Sequence, residues 1–281
     1  MRVKRLKPYA NRILVVESRL LEMASTLLNV IHPVFIKGTL TMRCTEPQPI
    51  RRALAKAAFL IAVAGSGSLV IAADQPEATR VVPPREGTRE TIQLFNGKDL
   101  SGWEGHSHIW SVEDGEIVGK NTKRLKVSTY LLTERQFSDF RLVFKVKLVE
   151  SERHSGIAFW GRTAPHRGDK YTFAGHLVIC PVEWGLYDLY GRRSLDVDRS
   201  LAEKVEKPHE WNDLEILAQG NRIRVVVNGT QTMDYVDTGD KALFDGPIGL
   251  QLHSNNVPQE IRYKDLVLTT FPEDVLTTLK P

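Results

Sequence analysis

The stretch FAGHLVIC, residues 173–180, sets His176 in alternation with Val178 and Cys180, opposite Phe173, Gly175, Leu177 and Ile179. Alternate residues of a strand share a face. If Phe173, Leu177 and Ile179 face the core, His176 faces a cleft, where an imidazole that titrates near neutrality can take or give a proton. Asp188, Tyr190 and Arg192 fall at i, i+2 and i+4 in WGLYDLYGR, residues 184–192. A carboxylate, a ring and a guanidinium on one face can bind a sugar by accepting from hydroxyls, stacking and donating to oxygens. The same triplet also describes a solvated face with a cross-strand ion pair. Glu183, beside Trp184, reads either as an acid with a raised pKa or as an exposed loop carboxylate. His154, His176, His253 and a carboxylate are ligand types that suit zinc, yet their separations carry no metal motif. The sequence requires no cofactor and is compatible with a divalent metal.

The elements that must position these residues are short strands. IWSVEDGEIVG (109–119) is a hairpin around Asp114-Gly115, a dipeptide that supplies the positive φ angles of a tight turn. FRLVFKVKLV (140–149) alternates, with Phe140, Leu142, Phe144, Val146 and Leu148 on a buried face and Arg141, Lys145 and Lys147 on a wet one. SGIAFWGR, FAGHLVIC and WGLYDLYGR follow as strands, then three more across 214–237, then GPIGLQLHS and IRYKDLVLTTF. No segment of 92–272 keeps helical periodicity over three turns, so the fold class is an all-β antiparallel sandwich. Trp103, Trp110 and Trp211 sit at strand ends and read as packing residues.

The chain of 281 residues carries a formal net charge of +4, but its basicity is local. Residues 1–73 hold 11 Lys/Arg and 3 Asp/Glu, and the remainder 27 against 31, a net of −4. Nothing in that balance suggests nucleic acid as a partner. Arg51-Arg52 and Lys56 precede the apolar run AAFLIAVAGSGSLVIAA (57–73), the layout of a secretory signal peptide over 42–73. The alternative is a membrane anchor through 57–73, which is close to the minimum spanning length of about 17 residues. The expectation is an exported protein, periplasmic or extracellular, with residues 1–41 an N-terminal extension or an artefact of start-site choice. Of the two cysteines, Cys44 precedes the expected cleavage and only Cys180 follows it, so stability must come from the core rather than a disulfide. Residues 74–91 read as a linker, 92–272 as one domain and 273–281 as a C-terminal tail.

FNGKDLSGW, WSVEDGEIV, FSDFRLVFK, HSGIAF, GLYD, WNDLEI, NRIRVVVNG and GPIGLQLH, in that order, resemble the 3-keto-disaccharide hydrolase family. The resemblance covers residues 92–270. It implies a concanavalin- or laminarinase-like jelly roll with one concave sheet able to hold a sugar, in an exported setting. It also implies action on glycosides oxidised to a ketone at C3, which a partner sugar oxidoreductase would supply. A C3 carbonyl acidifies the C2 proton, so a base can remove it, the C1 substituent can leave, and water can add back. On this resemblance His253 matches a family histidine, with Gln251 on its face. His154 stands where the family tends to have asparagine, beside the substrate, and Trp160 and Arg162 are expected to line the same cleft. His176, Asp188 and His253 are the expected catalytic groups. His154, Trp160, Arg162, Glu183, Tyr190, Arg192 and Gln251 are the expected substrate contacts.

One departure matters. Where many members carry alternating polar residues after the HSG segment, this chain has GHLVICP, with Leu177 and Val178 unable to do acid-base work. Either His176 takes over a role, or the domain binds carbohydrate without cleaving it. A laminarinase-like glycosidase would need two carboxylates on one strand face, and no Glu-x-Asp-x-x-Glu occurs.

Overall fold

The computed structural model describes Val34–Ile36, Thr39–Thr41 and residues 81–281 other than Glu152 and Arg192. The chain divides into two compact units, Met1–Ala73 and Asp74–Pro281. The first contributes a small antiparallel hairpin of β1 (Val34–Ile36) and β2 (Thr39–Thr41). The expected signal peptide or anchor lies outside the described residues, as does the rest of the N-terminal extension. Among the described residues no helix is long and apolar enough to cross a membrane.

The second unit is an antiparallel β-sandwich. Its strands are β3 (Thr91–Gln93), β4 (Trp103–Glu104), β5 (Trp110–Glu113), β6 (Glu116–Asn121), β7 (Thr129–Phe137), β8 (Phe140–Glu150), β9 (Gly156–Thr163) and β10 (Phe173–Ile179). There follow β11 (Gly185–Asp188), β12 (Arg193–Ser194), the short helix α1 (Ser200–Val205), β13 (Asn212–Gln219), β14 (Arg222–Val227), β15 (Thr230–Val236), β16 (Gly246–Leu252) and β17 (Gln259–Thr270). One sheet runs β12-β11-β10-β9-β16-β7-β4. The other runs β15-β14-β13-β8-β17-β6-β5, with β3 also paired to β17.

Alternation along β8 decides which side chains meet. Phe140, Leu142, Phe144, Val146 and Leu148 enter the main core between the sheets, with Ile216, Val225, Ile248, Leu250 and Leu268 from neighbouring strands. The β5–β6 hairpin turns at Asp114 and Gly115, both at positive φ (52° and 76°), as that dipeptide predicts. Gly119 on β6 is fixed by contact, because a Cβ there would lie 2.4 Å from the Trp110 ring. Trp103 and Trp110 are buried, and Trp211 lies under the Lys264 ammonium at 3.9 Å, so all three tryptophans serve packing.

Three expectations are corrected. Arg141, placed on the wet face of β8, is buried and bonds through Nε to Glu215 at 2.9 Å. The linker expected over 74–91 is, from residue 81, an extended segment fastened to the sandwich. Val82 N donates to Asn221, and Arg85 bonds Asp139 through both its backbone N–H and its guanidinium. The tail 273–281 is also docked, with Thr277 and Thr278 donating to Glu215.

Candidate functional site

β9 begins at Gly156 and β16 ends at Leu252, and these two central strands pair with Gln251 opposite Gly156. His154 and His253 therefore emerge side by side at a common sheet end, their rings 4.4 Å apart and edge to face. The loop after β10 brings in the third member: His154 Nδ1 donates to Glu183 Oε2 at 2.6 Å. Arg153 stands 3.7 Å from the other Glu183 oxygen. Val182 and Glu183 both hold positive φ (54° and 50°), a strained conformation for a β-branched residue such as Val182. Beneath the cluster, Ser155 Oγ meets the Tyr263 hydroxyl at 2.9 Å and donates to Gln251 O, which ties β9, β16 and β17 together.

The electrostatics keep both imidazoles neutral at pH 7. Burial pushes the His253 pKa down to about 4, helped by the neighbouring His154. Burial also lowers His154, against the opposing pull of Glu183. Burial alone would raise Glu183, but the His154 hydrogen bond and charge outweigh it and hold the carboxyl below its ordinary value. His253 Nδ1 donates to Ser254 O at 2.6 Å. Each ring thus spends Nδ1 on an acceptor and leaves Nε2 as an unprotonated base. Among the described residues no three His, Cys, Asp or Glu side chains gather to hold a metal ion.

The predicted residues do not form one site. Val178 and Cys180 belong to the main core between the sheets, while Phe173, Leu177 and Ile179 form a second cluster with Tyr130 and Leu132 on the other face. The expected orientation of β10 is therefore reversed: His176 faces the interior, its ring stacked on Phe159 (6.0 Å between centroids) and edge-on to Trp160 (5.7 Å). Gln251 donates to the Tyr130 hydroxyl at 2.8 Å and so lies on the opposite face. The departure from the family pattern moves with this correction, since the apolar residues sharing a face are Leu177 and Ile179, and Val178 is core.

Along the strands the separation is also large. His176 pairs with Phe159, five residues from His154, about 16 Å at 3.3 Å per residue. His176 and His253 cannot serve one small substrate together. Asp188 does join His176, being its register partner across β10 and β11, and Tyr190 follows in the adjoining turn. Asp188 accepts from Tyr190 N (2.8 Å) and Gly191 N (3.0 Å), and Arg193 Nε approaches it at 3.3 Å. Arg192 lies outside the described residues.

Trp160 is fully buried, donates to Ser138 O at 2.5 Å and packs the core, so it is no cleft wall. Arg162 forks onto Asp245 (3.0 and 2.9 Å) at the far end of β9 from His154. Glu183, expected as a substrate contact, is the partner of His154. The reading of residues missed Arg153 and Asp237, which accepts from His176 Nε2 at 2.5 Å. Asp237 comes from the other sheet, and only its place in the turn-forming DTGD marked it in sequence.

No curated protein matches this chain. Among solved structures, it resembles a candidate glycosyl hydrolase from Parabacteroides distasonis ATCC 8503, with 19% identity, a TM-score of 0.48 and 65% of this chain and 94% of that one covered. It resembles the carbohydrate-binding module CBM66 of Bacillus subtilis at 13% identity and a TM-score of 0.43, over 61% of this chain and 97% of that one. A β-1,3-1,4-glucanase (lichenase) from a mouse hindgut metagenome is similar at 14% identity and a TM-score of 0.43, over 66% and 99%. Residues 90–269 match the 3-keto-alpha-glucoside-1,2-lyase-like domain, and the protein belongs to that family.

Proposed function

We propose that the protein is an exported enzyme that cleaves 3-keto-glycosides by elimination and hydration at the His154–Glu183–His253 cluster. The observation that carries this reading is the pair of neutral imidazoles 4.4 Å apart, one of them backed by a carboxylate. His154 Nε2 takes the C2 proton of the sugar, and Glu183 stabilises the imidazolium that forms. The electrons move to the C3 oxygen, where Arg153 supplies positive charge. As the C1–O bond breaks, the imidazolium returns the proton to the departing oxygen. Water then adds across C1=C2, its oxygen to C1 and a proton to C2, with neutral His253 holding the water. An oxidoreductase acting on the C3 hydroxyl must supply the substrate.

The test is incubation of the purified chain with a 3-keto-glucoside bearing a chromogenic aglycone, with and without chelator, beside His154→Ala and His253→Ala variants. Release by the wild type and loss in both variants supports the reading, and chelator sensitivity would add a metal to it. A second reading, binding without cleavage, is favoured by Leu177 and Ile179, which put an apolar patch where many relatives carry polar side chains. Sugar binding with no release would establish it.

A further inference from the structure

At the edge of the sandwich, away from the His154 cluster, a cleft of 430 Å³ opens between the turn after β11 and the segment after β15. Its walls carry Asp188, Asp237 and Asp240 against Arg193 and Lys241, with the Tyr190 ring beside them and His176 at its inner end. We propose that this cleft is a second carbohydrate-binding site, which takes one or two hexose rings independently of the chemistry at His154.

The acceptors are fixed in place before any ligand arrives. Asp237 is held by His176 Nε2 at 2.5 Å and by Gly239 N at 2.7 Å, and Asp188 by the two backbone N–H groups of its own turn. His176 is 2% exposed and serves the cleft through Nε2, a buried donor that fixes the Asp237 carboxylate at its wall. The lining charges select the ligand class. A phosphorylated ligand would meet three carboxylates, and a metal cation would meet Arg193 and Lys241. A neutral polyhydroxylated ring suits both sets, because its hydroxyls donate to the carboxylates and accept from the cations, and Tyr190 offers a surface for its apolar face. The volume falls in the range of small-molecule sites, about 300–1,000 Å³.

The experiment titrates cellobiose and maltose, which lack the C3 ketone, into the full chain by calorimetry and protein-observed NMR. The background is His154→Ala/His253→Ala, so that turnover and the other cluster are silent, with and without Asp240→Asn/Lys241→Ala. Asp240 and Lys241 are exposed, so their replacement spares the core. The expected result is binding of at least one disaccharide at roughly millimolar affinity, weakened on the order of tenfold by the edge substitutions. NMR shifts should centre on residues 188–193 and 237–242. Binding unchanged by Asp240→Asn/Lys241→Ala overturns the proposal, as does absence of binding of both sugars to the His154→Ala/His253→Ala protein.

Discussion

His154 donates across 2.6 Å to Glu183, which a loop presents at positive φ (50°) directly after the strained Val182. The carboxylate fixes the tautomer of the ring and stabilises its charged form. Glu183→Gln keeps the side-chain shape and removes the charge. It should lower aglycone release by about 10²-fold with the fold unchanged by circular dichroism. Undiminished release would remove the dyad from the mechanism.

His253 links the site to acid stability. Its folded pKa of about 4 lies below the unfolded value of about 6.5, so the unfolded chain binds more protons between those limits. The stability conferred by keeping this ring neutral is full above pH 6.5 and is lost as pH falls towards 4. Urea unfolding at pH 7 and pH 4.5 should show a smaller acid loss in His253→Gln than in the wild type, by about 2 kcal/mol. Equal losses would contradict the assignment.

Glu215 is fully buried and joins Arg141 at 2.9 Å to the tail, accepting from Thr277 N at 2.9 Å and Thr278 N at 2.8 Å. Removing one partner strands the other charge in the interior. Glu215→Gln should cost about 3–5 kcal/mol, and a chain ending at Pro272 should also be destabilised. A tail deletion without effect on the melting temperature would show that the docking is ornamental.

The Tyr263 hydroxyl meets Ser155 Oγ at 2.9 Å, its shortest contact beneath the site, and lies within 3.4 Å of Gln251 O and 3.5 Å of Gly156 O. Tyr263→Phe leaves the packing and removes those contacts. About 1–2 kcal/mol of stability should be lost, with release slowed several-fold at unchanged KM. Loss of stability with an unaltered kcat would confine the hydroxyl to a structural role.

Periodicity made most strands legible in the sequence. The alternation of β8 and the Asp114-Gly115 turn predicted their structures directly. β7 was not legible, because TYLLTERQ runs apolar and then polar instead of alternating, its first five residues buried and the next three exposed. The site was harder. Alternation placed His176 and Val178 on one face and Leu177 and Ile179 on the other, but both sets are buried, so pattern alone could not say which faced the second sheet. The Asp237–His176 and Glu183–His154 pairs span 61 and 29 residues, and no local spacing encodes them.

β17 lies in the middle of its sheet, between β8 and β6, and also takes β3 as a partner, with Thr269 opposite Thr91. This central strand follows in the chain every strand with which it pairs. Until residues 259–270 emerge, β8 lacks its inner neighbour and β3 has no strand to join, so the sheet is completed only after its other strands have been made and through pairings distant in sequence. Such non-local topologies fold slowly. Chains interrupted before Gln259 would carry exposed strand edges rather than a smaller stable domain.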